Sequence, residues 1–295
     1  MAENVLMDAG TRSGRALGDG TRLGGVELTV TDLERSIAFY AGVLGLQVQR
    51  REPGVVALGA GGEDLVTLHE NASAQRPGRE SGIYHFALLF PTREDLARVA
   101  VRLAGARTPI DGASDHGVSE AIYLPDPDGI GVELAADRPQ AQWAQGSAEE
   151  FQRGGPAPLD VRNLLDSVSG EEPTQLAPAG LRLGHVHLHV GSLDEGLRFY
   201  RDAIGFDVQM ELPTALFVSA GGYHHHVAFN VWRGRGVPAA RADVVGLRHW
   251  TLILESEQEL IAVRSRLTSL GFELEEREDG LIARDPANIA VRLAI

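Results

Sequence analysis

The chain contains two interleaved repeats, and these constrain its fold more than any other feature. Residues 22–62 and 182–222 align without a gap at an offset of 160 positions, and both stretches end in Ala-Gly-Gly. A second pair of stretches, starting at Gly82 and Gly246, aligns at an offset of 164 positions. Similarity at a fixed period predicts that one structural unit recurs. We therefore divide the 295 residues into four modules, of which the first resembles the third and the second resembles the fourth.

Each module shows the same order of elements. In module 1, apolar and polar residues alternate over Val26–Val30, which is typical of a strand, and Thr31 or Asp32 can cap a helix that ends near Gly45. Three strand-like runs follow, at 47–51, 55–58 and 64–68. Module 2 repeats this order, with a strand from Tyr84, a helix over 93–103 and strands near Pro109, over 119–124 and over 131–135. The sequence therefore predicts an α+β fold of four βαβββ modules.

The modules are separated by segments of different composition. The polar, glycine-rich residues 1–20 are expected to form a flexible N-terminal tail, and the Pro- and Gly-rich residues 138–180 a linker arm with one short helical piece over 159–168. We predict a first domain at 21–137, containing modules 1 and 2, and a second domain at 181–295, containing modules 3 and 4. Because the arm is long for a connector, its length also bears on which modules can pair.

Composition excludes several classes of function. The formal net charge of −14 argues against a nucleic-acid partner, since such partners require clustered basic residues. The absence of cysteine excludes disulfides, thiolate metal sites and a cysteine nucleophile, and it fits a reducing compartment. No apolar run approaches the ~20 residues of a membrane span, and residues 1–20 lack the apolar core of a signal peptide. We therefore expect a cytoplasmic protein with no membrane partner.

Histidines recur on the predicted first strands of the modules. Alternate side chains of a strand point to one face, so His185, His187 and His189 project together from module 3. The position that corresponds to His185 is occupied by His85 in module 2 and by His249 in module 4. Histidine at matching positions of three modules favours a metal site.

Carboxylates are distributed less evenly among the modules. Glu133 lies on the last strand of module 2, whereas its counterpart in module 4 is Arg292. Two histidines and one carboxylate with open coordination positions suit Fe(II) that binds both a substrate and O2. A single strand histidine is, however, more often a packed or surface residue than a ligand, and Tyr223–His226 can equally be a polar strand.

Two longer segments resemble a known family. Residues 116–133, HGVSEAIYLPDPDGIGVE, resemble the extradiol dioxygenase signature, in which a histidine and a tyrosine precede a metal-binding glutamate. Residues 223–229, YHHHVAF, are similar to the stretch that carries that family's acid–base histidine. Over roughly residues 21–295 the chain resembles the vicinal oxygen chelate superfamily, which contains glyoxalases, bleomycin resistance proteins and extradiol dioxygenases. Within it, the chain resembles the catechol 2,3-dioxygenase-like subgroup.

The resemblance implies a function and a set of residues. It implies an Fe(II)-dependent extradiol ring-cleaving dioxygenase that acts on a small catechol-type aromatic substrate with O2. By the match of motifs, His225 is the acid–base residue, and Tyr123 and His116 are further catalytic residues. Iron is the expected metal, with Mn(II) or another divalent ion as the alternative. Relatives often assemble into homo-oligomers, and the sequence leaves the oligomeric state open.

Module pairing decides which residues can act as ligands. In most two-domain relatives the signature lies in the last module, but here it lies in module 2, and module 4 has Ile282 and Arg292 in place of the tyrosine and glutamate. Pairing of modules 1 and 2 would need a ligand from Gly25, and pairing of modules 3 and 4 would lack a carboxylate. Pairing of modules 2 and 3 brings together three ligands. We predict this pairing over the sequential one, with the metal ligands His85, Glu133 and His185.

Two other functions remain open from the sequence. The first is another metal-dependent enzyme of the same scaffold, such as an isomerase, a hydrolase or a biosynthetic oxygenase. The second is a resistance protein that binds an aromatic antibiotic, although such proteins dispense with the ligands. The ring substituents of the substrate and the residue among His224, His225 and His226 that faces the metal are also left open.

Overall fold

The computed structural model describes residues 16–143, 155–172, 174–278 and 280–295. Its first half contains two βαβββ units. Module 1 consists of β1 (Arg22–Val30), α1 (Leu33–Ile37, continued by a π-helical turn over Ala38–Val43), β2 (Gln47–Glu52), β3 (Val55–Gly59) and β4 (Asp64–Glu70). Module 2 consists of β5 (Gly82–Phe90), α2 (Arg93–Gly105), β6 (Gly112–Asp115), β7 (Ser119–Pro125) and β8 (Gly131–Asp137). The predicted order of elements is confirmed.

The second half repeats this order after the arm. The arm carries a 3-10 turn (Gln140–Gln142), β9 (Ala157–Pro158) and α3 (Val161–Asp166). Module 3 consists of β10 (Arg182–His189), α4 (Leu193–Leu197, continued by a π-helical turn over Arg198–Ile204), β11 (Asp207–Leu212), β12 (Ala215–Ser219) and β13 (Val227–Asn230). Module 4 consists of β14 (Gly246–Ile253), α5 (Glu257–Ser269), β15 (Leu274–Arg277), β16 (Gly280–Arg284) and β17 (Ala290–Ala294).

One strand starts later than the sequence suggests. The strand predicted near Pro109 is wrong in position, because β6 begins at Gly112. Proline lacks the N–H that a strand interior donates, and Arg107 takes a positive φ of 52° at the end of the preceding helix. The chain therefore needs several residues to turn into the sheet.

The strands form two sheets, and each sheet combines modules from both halves of the chain. The nine-stranded sheet has the order β11-β12-β13-β10-β5-β8-β7-β6-β9, and the eight-stranded sheet has the order β15-β16-β17-β14-β1-β4-β3-β2. Modules 2 and 3 are joined by the antiparallel pair β5 and β10, and modules 1 and 4 by β1 and β14. The predicted pairing of modules 2 and 3 is confirmed. The sequence bounds proposed for the two domains stay a prediction.

The arm and residues 16–20 both pack against the modules. Strand β9 pairs with β6 as the ninth strand, and Leu164 of α3 is fully buried. The helical piece predicted over 159–168 is observed as the shorter α3. Residues 16–20, placed in the tail by the sequence, pack on modules 3 and 4, since Leu17 is buried and its N–H donates to the carbonyl oxygen of Gly205. The rest of the predicted tail lies outside the described residues.

A buried tyrosine–aspartate pair ties module 1 to module 2. The hydroxyl of Tyr40 donates to Oδ2 of Asp126 over 3.0 Å, and Oδ1 of that aspartate accepts from the backbone N–H groups of Asp128 and Ile130. Asp126 is thus a turn-forming residue, and the turn that it closes precedes β8. Tyr200 and Asp285 repeat the same arrangement between modules 3 and 4.

No helix among the described residues is both long and apolar enough to cross a bilayer.

Tyr40→Phe is expected to lower the free energy of unfolding by about 1–3 kcal/mol, because it leaves Asp126 buried without one donor. Burial raises the pKa of Asp126 to about 6. A raised pKa in the folded chain means that stability is lost as pH rises from about 4 to about 6, where the folded carboxyl ionises. The hydrogen bond from Tyr40 favours the ionised form of Asp126, so the loss in the variant should be larger at pH 8 than at pH 5 when measured by urea unfolding. Tyr84→Phe, at an exposed position, is the control; equal losses in both variants would contradict this role for Tyr40.

Candidate metal centre

Three predicted ligands come from three neighbouring strands at the centre of the nine-stranded sheet. His85 lies on β5, Glu133 on the parallel neighbour β8, and His185 on the antiparallel neighbour β10. The register of β10 shifts between Leu183 and Val186, so that Gly184 and His185 together face one residue of β5. Such a bulge re-aims a side chain and is common beside functional sites. The fold thus directs all three side chains to one point.

The distances within this triad fit one metal ion. Nε2 of His85 lies 3.3 Å from Nε2 of His185, and Oε2 of Glu133 lies 3.1 and 2.9 Å from these two nitrogens. Ligands about 2.1 Å from one ion are about 3.0 Å apart at mutual right angles and about 3.4 Å apart in a tetrahedron. The observed distances of 2.9 to 3.3 Å therefore fall in the range expected for three ligands of one ion.

Burial and charge favour the metal-binding protonation states of Glu133 and His85. His85, Glu133 and His185 are 7%, 2% and 4% exposed. Burial raises the pKa of the Glu133 carboxyl, but His185 and His85 outweigh this and bring it well below its ordinary value. Burial also lowers the pKa of His85. A carboxylate and neutral imidazoles are the ligand forms of these groups, so the triad can hold one divalent ion.

Among the three consecutive histidines, His225 lies against the triad. Its ring centroid is 4.1 Å from that of His185, and burial lowers its pKa well below the ordinary value. His226 is turned away, because its Nδ1 accepts from the backbone N–H of Ala220 and its ring stacks on Phe206. The ring of His225 is therefore nearer to His185 than the ring of His224, whose centroid is 6.5 Å away.

A hydrogen-bonded chain sets the tautomer of His225. Nε2 of His224 lies 3.0 Å from Oδ1 of Asp137, and Nδ1 of His224 lies 2.9 Å from Nδ1 of His225. The aspartate accepts from Nε2–H of His224, and with both imidazoles neutral Nδ1 of His224 then accepts from Nδ1–H of His225. That assignment leaves Nε2 of His225 without a hydrogen. His225 can then act as a proton acceptor at this atom.

His116 and Tyr123 lie together at the edge of the triad. Nε2 of His116 is 2.7 Å from the hydroxyl of Tyr123, whose ring centroid is 5.6 Å from that of His85. Tyr123 on β7 is in register with Glu133 on β8. Burial, followed by the charge of Glu133, raises the pKa of Tyr123. The phenol is therefore neutral and can donate a hydrogen bond.

Sequence reasoning missed residues that support the site. Asn230, at the end of β13, joins the two remaining strand histidines, since its amide lies 2.8 Å from Nε2 of His187 and 2.8 Å from Nδ1 of His189. No spacing signal in the sequence points to it. Asp137, the partner of His224, could have been found, because it follows Glu133 by four residues on the same strand and so shares its face.

The first-strand histidine of module 4, His249, does not join the triad. His249, on β14, lies in the eight-stranded sheet, where it faces Glu27 of β1. Near the triad instead are two exposed aromatic side chains, Tyr84 and Trp232, which are 41% and 51% exposed. Their ring centroids are 5.5 Å apart, and each lies 5.2 Å from that of His187. They form a partly apolar wall beside the metal centre.

Comparison with known proteins agrees with this architecture. Residues 22–134 and 182–291 match the family described as the Glyoxalase/Bleomycin resistance protein/Dioxygenase superfamily. The chain is 40% identical over 273 residues to the catechol-2,3-dioxygenase of Bacillus subtilis (strain 168). The aligned region covers 91% of this chain and 95% of that relative.

Solved structures share the fold at lower identity. Glyoxalase I from Zea mays matches with a TM-score of 0.59 at 18% identity, over 93% of this chain and 92% of that one. The cppA protein from Streptococcus pneumoniae TIGR4 matches with a TM-score of 0.55 at 12% identity, over 95% of this chain and 98% of that one. The repeated modules, the two sheets and the family match lead to one conclusion: the chain belongs to the glyoxalase/bleomycin resistance protein/dioxygenase superfamily and has a catechol-2,3-dioxygenase as a relative.

Proposed function

We propose that the protein is an Fe(II)-dependent extradiol dioxygenase that opens the ring of a catechol-type substrate with O2. The observation that carries the proposal is the buried triad of His85, Glu133 and His185, with the ring of His225 4.1 Å from that of His185. The 40% identity to a catechol-2,3-dioxygenase supports the same reaction. Bound iron would bring the diol and O2 together and make a catechol hydroxyl more acidic.

The roles proposed for the protein follow from hydrogen bonding. His85, Glu133 and His185 would hold the metal, and the substrate would bind beside them. His225, with its free Nε2, takes the proton of a catechol hydroxyl, and the chain through His224 to Asp137 keeps the ring in the tautomer that can do so. Burial of these groups excludes water, which strengthens each of these interactions.

Tyr123 and His116 have a complementary role in this proposal. The hydroxyl of Tyr123 is paired with His116 and lies beside the triad, so it can donate a hydrogen bond to an oxygen of the substrate. His116, whose Nε2 lies 2.7 Å from that hydroxyl, would fix its orientation. The wall formed by Tyr84 and Trp232 suits an aromatic substrate, since aromatic pairs favour edge-to-face contacts.

Oxygen uptake on a catechol tests the proposal. Purified protein loaded with Fe(II) under anaerobic conditions is expected to consume one O2 per catechol and to form the yellow ring-opened semialdehyde, which is followed by absorbance. His85→Ala should lose both signals, while His249→Ala, in the other sheet, should keep them. Stoichiometric metal without O2 uptake on catechol or alkylcatechols would reject the dioxygenase assignment and favour a non-oxidative enzyme of the scaffold. Protein that binds no metal at all would favour a binding protein.

A further inference from the structure

The eight-stranded sheet contains a cavity lined by Glu27, His249 and Arg292, which we call the second cup. Its strands correspond one by one to those of the metal centre. Strands β1 and β14 pair in the same way as β10 and β5, and the register shifts recur at matching points. Glu27 faces His249 where His187 faces His85. Arg292, on the parallel neighbour of β14, stands at the position that Glu133 has on the parallel neighbour of β5.

This second cup cannot rebuild the metal centre. Gly25 replaces His185, and a Cβ atom there would overlap the carbonyl oxygen of Asp64. A guanidinium replaces the carboxylate at Arg292, and Arg248 occupies the bulge position that Tyr84 has in the other sheet. Repulsion of a cation by these groups makes a metal site unfavourable. The charge of the cup is therefore opposite to that of the metal centre.

Positive charge is concentrated around this cavity, although the chain as a whole carries a net charge of −14. Among the described residues that line the cavity, Glu27 is the sole carboxylate. Five arginines line it, at positions Arg241, Arg248, Arg277, Arg284 and Arg292. Two of them form ion pairs, Arg241 with Asp243 and Arg277 with Glu275.

The single carboxylate is itself held by imidazoles. Oε2 of Glu27 lies 2.6 Å from Nε2 of His69, and Oε1 lies 3.5 Å from Nε2 of His249. The guanidinium of Arg292 donates from Nε to Oγ1 of Thr251, which fixes its plane. Guanidinium groups placed in this way match the paired oxygens of a carboxylate. The described lining of the cup thus carries five guanidinium groups against one carboxylate.

The remaining wall of the cavity is apolar. Leu247 and Ile282 line it, together with small aliphatic residues. Its volume of about 420 Å³ is within the roughly 300–1,000 Å³ range of small-molecule sites. A ligand that fills it needs an anionic group for the arginines and an apolar body for the wall. We propose that this second cup binds a small organic anion, namely a carboxylate carried on an apolar body.

Isothermal titration of the metal-loaded protein with benzoate tests this site. One benzoate per chain is expected to bind with a Kd of about 1 mM or lower, which suits a ligand of this size. Benzamide, which has the same shape without the charge, should bind at least about tenfold more weakly. Equal binding of both compounds, or no benzoate binding at ~5 mM, well above that Kd, would overturn the proposal.

Variants locate the bound benzoate. Arg292→Gln and Arg248→Gln should each weaken binding by about tenfold, the usual effect of one lost charged hydrogen bond. Arg264→Gln removes an exposed arginine outside the cup and should leave binding unchanged. If Arg292→Gln fails to fold, Arg248→Gln still decides, because Arg248 is exposed. Benzoate binding that is unchanged in Arg248→Gln would place the ligand elsewhere, for example at the metal centre, and would reject the assignment.

Discussion

Replacing Glu133 by alanine is expected to lower the iron affinity by at least about 100-fold and to abolish oxygen uptake. The substitution removes the sole anion of the triad, and loss of groups that merely orient metal ligands already costs 10- to 100-fold. His85 and His185 would remain, 3.3 Å apart, as two neutral donors. Two imidazoles hold a divalent ion more weakly than two imidazoles with a carboxylate. Metal content after dialysis, measured by mass spectrometry, checks this result.

A matched carboxylate separates loss of metal from general damage. Glu120 is also buried and lies on the neighbouring strand β7, but it is paired with Arg93 and Arg138 and not with the triad. Glu120→Gln should therefore keep stoichiometric iron while Glu133→Gln loses it. If Glu133→Ala retains one iron per chain and still consumes O2, the triad proposed here is wrong.

The sequence predicted the centre of the site because the repeats made four modules comparable. Alignment of those modules placed His85 and His185 at matching positions of first strands and Glu133 on a last strand, and Gly25 and Arg292 argued against the other pairings. Strand alternation then placed the side chains on one face. The observed sheet order agrees with that pairing. Long-range contacts could be inferred here because the order of strands within a module is the same in all four modules.

Contacts outside the repeated unit could not be inferred in the same way. Strand β9, in the arm, has no counterpart in another module, and its pairing with β6 depends on tertiary packing. The register shift at His185 leaves no mark in the alternation of the sequence. The bond from Asn230 to His187 joins side chains 43 residues apart, and neither residue type nor spacing indicates it. Local patterns specify strands, whereas these features depend on which strands meet.

His225→Ala is expected to keep stoichiometric iron and to lower kcat by about 10²- to 10⁴-fold, the usual contribution of a positioned acid–base group. The ring lies against His185 but is not one of the three residues of the triad, so its removal should spare the metal. Because burial lowers the pKa of His225, the imidazole is neutral near pH 7 and can accept a proton. KM should change much less than kcat if the residue acts on the proton and not on substrate binding.

The neighbouring histidine supplies the control for this effect. His226 occupies the same stretch, but its Nδ1 accepts from the backbone and its ring faces Phe206, so His226→Ala should keep kcat within a few-fold. Added imidazole should restore part of the activity of His225→Ala, because a free base can enter the space that the ring vacates, and it should not affect His226→Ala. A purely structural role for His225 would give no such rescue. Undiminished turnover in His225→Ala would instead assign the proton transfer to another group, and the pair of His116 and Tyr123 would be the next to test.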